Sequence, residues 1–338
     1  MIDTKNITIL AIESSCDETA AAVVKCGREV LSSVIFSQID IHQKFGGVVP
    51  EVASRNHTIK INDTVKQALE EANTDFNSVD AIAVTYGAGL SGALLVGVSY
   101  AKAICYALKK PLIAVNHIKG HIAANFITHK NLKPPFICLV VSGGHTALLE
   151  ITSYTTHKCL GQTADDAVGE AFDKVSRVLK LGYPGGPIID KLAKTGNCNI
   201  PFPKANLPDF NFSYSGLKTS VVNYVNKAEM KKQSLIIPDI CASFQSAAMD
   251  ILIEKSIKAC KHYGYRKLCI AGGVSANTYL RENAQKACLD NNIKLFVPDF
   301  KYCTDNAAMI GAQGYYNFIQ KDFTPAPLSL TAMPHLKL

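Results

Sequence analysis

Two related α/β halves with a cleft between them are what the sequence predicts, on three observations. The order apolar run, small polar turn, apolar run occurs twice, once from residue 7 and again from residue 135. Each occurrence is followed by further strand-like and helical stretches, among them VDAIAVTYG at 79–87 and RKLCIAGG at 266–273. At 338 residues, the chain also exceeds what one ordinary core fills.

Taken in order, ITILAIE (7–13) is a short apolar run, SSCDET (14–19) a polar turn and AAAVVKCGREVLSSVIF (20–36) more strand-like sequence. This start predicts a hairpin with Asp17 and Glu18 at its tip. GLSGALLVGVSYAKAICYAL (89–108) is the nearest thing to a membrane span, but its glycines, serines and Lys102 suit a buried helix of an α/β core better. PFICLVVSGGHTALLEIT (135–152) is the second hairpin, and GEAFDKVSRVLKLG (169–182) has helical spacing through Ala171, Val175 and Val178. The Pro/Gly-rich stretch 181–210 reads as loops around one short helix. The boundaries expected are a first lobe at 1–115, completed by 311–338, and a second lobe at 116–310.

With 48% apolar and 19% charged residues the chain is globular rather than disordered. Eleven scattered cysteines, odd in number and without a CxxC pair, fit neither a disulfide framework nor a zinc ribbon. The opening residues show no basic flank, long apolar stretch or cleavage site, so a cytoplasmic chain with no membrane partner is expected. The formal charge of +7 favours an anionic partner, yet the surplus is spread out, with KAEMKK (227–232) its densest run. Charge alone therefore supports an ordinary solvated surface.

In NHIKGHIAANF (116–126) His117 and His121 stand four apart, so on a helix both rings project from one face and reach one ion. Nine histidines are enough for such a pair to arise by chance, so a third ligand is needed. YCTDNAAMIG (302–311) offers Asp305 where a loop enters a helix; its plain alternative is a helix N-cap. A peptidase of the HExxH kind needs Glu directly after the first histidine, and Ile118 stands there. The spacing thus suits a metal acting as Lewis acid or template.

Three glycine turns follow strands or precede helices. VVSGGHT (140–146) lets backbone N–H groups approach an anion and adds the Ser142 hydroxyl, YPGGPIIDK (183–191) puts Gly185 and Gly186 before a helix, and CIAGGVSANTYL (269–280) repeats the strand, Gly-Gly, helix order. Three such turns in an α/β chain predict a nucleotide cleft. Asp173 is either solvent-facing or an acceptor for ribose hydroxyls; Asp17 and Glu18 are either idle loop carboxylates or face the cleft as a base.

The motifs ESSCDET, GGVVPEVASRNH, NHIKGH, VVSGGHT, GEAFDK, YPGGP, AGGVSAN and CTDNAAMIG, from about residue 8 to about residue 316, together resemble one family. It is the universal tRNA threonylcarbamoyladenosine synthases, whose bacterial catalytic transferase subunit was formerly catalogued as an O-sialoglycoprotein endopeptidase. The resemblance implies the sugar kinase/Hsp70/actin-like fold, with duplicated ribonuclease H-like halves around a nucleotide cleft. It also implies transfer of a threonylcarbamoyl group from threonylcarbamoyl-adenylate to N6 of adenosine 37 in tRNAs reading ANN codons. Carried over, the metal ligands are His117, His121 and Asp305. The adenylate contacts are Val140, Val141, Ser142, Gly143, Gly144, Asp173, Gly186, Asp190 and Asn277, so both sites fall in the 116–310 lobe. The cofactor implied is one divalent metal ion, usually iron and sometimes zinc. The implied partners are tRNA, a related scaffold subunit forming a heterodimer, an accessory ATPase and a separate synthase that makes the adenylate. Asp17 is the candidate base on its place at the hairpin tip.

Two positions depart from the family pattern. Ala88 stands where proline is typical, and Lys119, between the histidines, replaces an acidic residue of many bacterial relatives; a lysine there is expected to face solvent or tRNA phosphate. The rival readings are a metallopeptidase, opposed by Ile118, and a small-molecule kinase of the same fold, which needs no histidine-bound metal.

Overall fold

The computed structural model describes residues 6–205, 207–321 and 329–337, so part of the expected C-terminal segment 311–338 lies outside the described residues. The chain forms two compact units: Met1–Pro134 with Ser153–Thr156 and Pro298–Leu338, and Pro135–Thr152 with His157–Val297.

In the first unit, β1 (Thr8–Glu13), β2 (Glu18–Lys25) and β3 (Glu29–Ser37) form an antiparallel meander. The long strand-like run expected at 20–36 is two strands, because Cys26 and Gly27 both take positive φ and turn the chain. Two helices, α1 (Ile39–Gln43) and α2 (Pro50–Glu71), lead to β4 (Ala81–Gly87), which pairs parallel to β1. Helix α3 (Ser91–Leu108) leads to β5 (Leu112–Asn116), parallel to β4, and α4 (His117–Thr128) follows without a loop. The sheet order is β3-β2-β1-β4-β5. β1 and β4 are buried on both faces, which is why they read as continuous apolar runs.

One face of this sheet, with Leu10, Ile12, Val23 and Val84, packs on Ile61, Val65 and Leu69 of α2 and Val98 and Ala101 of α3. Helix α3 is long and apolar enough to cross a membrane by length and composition. Here it lays Ala93, Leu94, Gly97, Val98, Ala101 and Cys105 into the core. The other face carries α10 (Ala307–Ile319), whose Gly311 and Gly314 sit against Ala11, Val24 and Ala83. A Cβ at Gly314 would stand 2.7 Å from that of Ala83, and one at Gly311 would stand 2.7 Å from Val24 Cγ2. Gly314→Ala therefore forces α10 off the sheet and is expected to cost about 1–3 kcal/mol, read as a lower urea midpoint with unchanged slope. An unchanged midpoint would mean that the helix rides freely on the sheet.

In the second unit, β6 (Phe136–Val141), β7 (Thr146–Ile151) and β8 (His157–Gln162) form another antiparallel meander. Four helices follow, α5 (Val168–Val178), α6 (Gly185–Ala193), α7 (Ser215–Met230) and α8 (Ile237–Tyr263). Then β9 (Lys267–Ala271) pairs parallel to β6, and α9 (Thr278–Asp290) leads to β10 (Lys294–Phe296), parallel to β9. The order β8-β7-β6-β9-β10 repeats the first unit's pattern strand for strand, as the paired hairpins predict. The core joins Leu139, Val141 and Ile270 of the sheet to Phe172 of α5 and Phe244 of α8, whose rings lie 4.8 Å apart. Each buried phenyl contributes about 1.5–3 kcal/mol.

Asp165 ties the start of α7 to the turn before α5 by accepting from the backbone N–H groups of Tyr214 and Ser215 and the Ser213 hydroxyl. Burial pushes its carboxyl up, but these hydrogen bonds outweigh it and hold the group below its ordinary value of 3.8. A depressed native pKa stabilises above the unfolded value and is lost as pH falls through the native one. Asp165 is solvent-exposed, so Asp165→Asn is expected to cost only about 0.5–1 kcal/mol at pH 7. The gap from wild type in urea unfolding should shrink as pH drops below the ordinary carboxylate range; a gap that persists there would contradict this.

The unit boundary differs from the one expected. Residues 116–134 and 298–310 belong to the first unit, not the second, because α10 packs along α4 as well as on the first sheet.

Candidate metal and transfer site

The metal-type residues converge in the first unit. Strand β5 runs straight into α4, whose N-cap Asn116 accepts from the N–H groups of Ile118 and Lys119 at 2.8 and 3.3 Å. His117 therefore opens the helix and His121 follows one turn on, with ring centroids 4.6 Å apart. Gly120 between them lets α10 approach, since a Cβ there would lie 2.6 Å from Ile310 Cδ1. Asp305 is not the cap of α10. Asn306 caps it, accepting from Met309 N–H at 2.9 Å, which frees the Asp305 carboxylate to turn toward the histidines.

Asp305 Oδ1 lies 3.4 Å from His117 Nε2 and 3.2 Å from His121 Nε2, and the three ligand atoms all fall within 4.8 Å of one another. Two ligands bound to one ion at about 2.1 Å each stand about 3–3.4 Å apart, which is the spacing of the carboxylate from each imidazole, and two imidazoles with a carboxylate are donors suited to a divalent metal. Burial alone would lower the His117 ring's pKa, but the Asp305 and Glu13 carboxylates on either side hold it well above the ordinary value. Burial likewise works against Asp305, and the two histidines outweigh it and keep that carboxyl far below the usual range. This concentration of negative charge on two imidazoles is what a dication would neutralise.

Glu13 is the site residue that sequence reasoning missed. It is fully buried at the end of β1, 3.0 Å from His117 Nδ1 through Oε2, and it accepts from Thr85 Oγ1 at 2.7 Å and from Ser15 N–H at 2.6 Å. By accepting from Nδ1–H, Glu13 leaves Nε2, which faces Asp305, as the nitrogen that a metal would claim in exchange for its proton. The available signal was a carboxylate closing an otherwise apolar strand. Ser15 Oγ also lies 3.1 Å from His117 Nδ1.

Asp17 is nearly buried in the β1–β2 turn, hydrogen-bonded to Cys16 and Glu18. Burial, with Asp305 and Asp17 nearby, pushes Glu18 up to about 10, so at neutral pH Glu18 is a proton donor beside Asp17. Ile118, where a peptidase would carry its base, is fully buried. Lys119 is half-buried, and its ammonium donates to the Thr155 carbonyl at 2.9 Å.

The second unit gathers the other candidates near the ends of β6 and β9. Val140 and Val141 are strand residues with fully buried side chains and can offer only backbone groups. Ser142 closes the turn, its N–H on the His145 carbonyl at 2.8 Å and its Oγ accepting from His145 N–H at 3.1 Å. Around Gly143, Gly144 and Gly186 nothing lies within 4 Å of where a Cβ would be, which leaves room for a ligand against the backbone. Asp173 accepts from Gly185 N–H at 2.7 Å and so fixes the start of α6. Asp190 takes the Thr278 hydroxyl at 2.9 Å, while Asn277 caps α9 and donates to Gln245 at 2.8 Å. These three side chains thus brace the turns as well as standing beside them.

A model of the tRNA N6-adenosine threonylcarbamoyltransferase family matches residues 29–312. The tRNA N6-adenosine threonylcarbamoyltransferase of Clostridium novyi (strain NT) is 59% identical over 338 residues, covering 99% of this chain and 98% of that one. The protein of the same name from Clostridioides difficile (strain 630) is 56% identical over 336 residues, covering 98% and 99%. Among solved structures, HypF from T. kodakarensis superposes with a TM-score of 0.64 at 13% identity, covering 96% of this chain and 49% of that one. Component A of the (R)-2-hydroxyglutaryl-CoA dehydratase from Acidaminococcus fermentans gives 0.54 at 13% identity, covering 94% and 99%. At such identities these structures speak for the fold alone, which is the two-sheet sugar kinase/Hsp70/actin type. Matched along nearly its whole length by these relatives and along most of it by the family model, the chain belongs to the tRNA N6-adenosine threonylcarbamoyltransferase family.

Proposed function

We propose that the chain performs this transfer with threonylcarbamoyl-adenylate as donor, adenosine 37 of ANN-reading tRNAs as acceptor, and an iron ion held by His117, His121 and Asp305. The transfer itself, with tRNA as substrate, is the family's activity. The observation that carries the residue assignment is the convergence of two imidazoles and a carboxylate, backed by the buried Glu13.

The N6 amine is a poor nucleophile because its lone pair is delocalised into the purine ring, so the acyl donor must be activated, as a mixed anhydride with AMP is. When bound, the metal supplies Lewis-acid polarisation to oxygens of the donor. The backbone donors around Gly143, Gly144 and Gly186 hold the adenylate. N6 bonds to the carbamoyl carbon, the bond from that carbon to the phosphate oxygen breaks, AMP leaves, and Asp17 accepts the proton from N6. The donor set suits iron and zinc alike, and reloading the metal-free protein with each separates them.

A related scaffold subunit, an accessory ATPase and a separate synthase complete the system in the cytoplasm, where tRNA is met. The experiment combines the metal-loaded chain and its partners with threonine, bicarbonate, ATP and unmodified tRNA, and then reads nucleosides by mass. Threonylcarbamoyladenosine is expected. Its absence when ready-made threonylcarbamoyl-adenylate is supplied would overturn the proposed donor.

A further inference from the structure

The turn Ser14–Asp17 links β1 to β2, carries Ser15 and Asp17 and leads into Glu18, and three elements of the first unit hold it by successive carbonyls. Leu90 N–H, at the start of α3, donates to Ser15 O at 2.7 Å; Gln38 N–H, before α1, donates to Asp17 O at 3.1 Å. The carbonyl between them, Cys16 O, lies 2.9 Å from Nε2 of His57 on α2. The other ring nitrogen, Nδ1, lies 2.7 Å from Thr19 Oγ1 at the start of β2. His57 is fully buried, and a carbonyl can only accept, so Nε2 carries the proton and Nδ1 accepts from the threonine hydroxyl.

Burial lowers the His57 ring below its ordinary value, outweighing the Cys16 carbonyl and the nearby carboxylates of Glu13 and Asp17, while His42 adds to the lowering. The neutral tautomer is therefore the working form. Neither nitrogen is left to titrate or to bind an ion, so the residue's chemistry is spent on the turn.

We propose that His57 is a positioning residue for the transfer: by bridging Cys16 O and Thr19 Oγ1 it fixes the turn that presents Asp17. The proposal rests on the reading of this turn as part of the transfer site. Hydrogen-bonding both ends of Cys16–Thr19 removes the freedom by which Asp17 would leave its place, and an ångström of misplacement costs about 100-fold in a well-oriented reaction.

The test is steady-state transfer from threonylcarbamoyl-adenylate to unmodified tRNA, with the metal-loaded protein and its partner subunits present. His57→Ala should lower kcat about 10- to 100-fold with KM for both substrates, metal content and melting temperature close to wild type. His57→Gln, whose amide reaches as far as Nε2 and still donates to Cys16 O, should recover most of that loss. His57→Asn, whose amide stops at the Nδ1 position, should not. Wild-type kcat in His57→Ala overturns the proposal. So does a loss that tracks lower melting temperature or metal content and is equal in the Gln and Asn variants, which is what plain packing would give. Asp17→Asn is measured alongside: wild-type kcat there removes Asp17 as the base, and leaves the His57 comparison to be read on its own.

Discussion

His117→Ala gives a folded protein that binds metal poorly and no longer modifies tRNA. A metal contributes several kcal/mol of charge stabilisation, and each 1.36 kcal/mol is tenfold in rate, so transfer should fall by about 10³-fold or more. The fold is expected to survive because His117 stands at the first turn of α4, where Asn116 provides the cap and Ile118 and Phe126 the buried anchors. Circular dichroism, metal content by mass spectrometry and threonylcarbamoyladenosine yield measure the three parts separately. Stripping wild-type protein with a chelator should reproduce the loss, and adding back iron should reverse it, whereas His117→Ala should not respond at equal concentration. Full activity in the variant would remove the metal from the mechanism.

The two α/β halves were legible because their inner strands are buried: β1, β4, β6 and β9 read as apolar runs of strand length, and the polar turns after β1 and β6 mark the two hairpins, whereas the third strand of each meander did not stand out. The domain boundary was not legible, because it follows packing rather than chain order. Gly120 and Ile310 are 190 positions apart, and only their contact shows that α4 and α10 share a unit. The histidine pair could be read from its spacing, since a helix fixes the geometry of residues four apart. Asp305 looked like a cap, because an Asp and an Asn in succession before a helix are equivalent by composition, and the structure gives the cap to Asn306. Glu13 was hidden for a different reason. Nothing local says that a strand-terminal carboxylate is buried, and its decisive partner, His117, is 104 residues away.

Glu13→Gln, nearly isosteric, is expected to weaken metal binding about 10- to 100-fold and to lower transfer with it. The glutamate accepts three hydrogen bonds, from His117 Nδ1–H and Thr85 Oγ1 on Oε2 and from Ser15 N–H on Oε1. A glutamine has one acceptor oxygen and one NH2 group. If the oxygen serves Ser15, the NH2 faces His117 Nδ1, which must then accept, and the ring proton moves to Nε2, the nitrogen a metal needs. If the oxygen serves His117 instead, the NH2 meets the buried Ser15 N–H, two donors face each other, and the turn that Ser15 begins is pushed away. Either arrangement damages the site without changing a ligand. Titrating metal-free protein with Zn²⁺ reads the affinity, and the nitrogen-15 chemical shifts of the two His117 ring nitrogens in the metal-free variant read the tautomer. Wild-type affinity with the proton still on Nδ1 would show that Glu13 serves only the packing of β1. A tautomer shift that accompanies the weakened affinity is what orientation of the histidine requires.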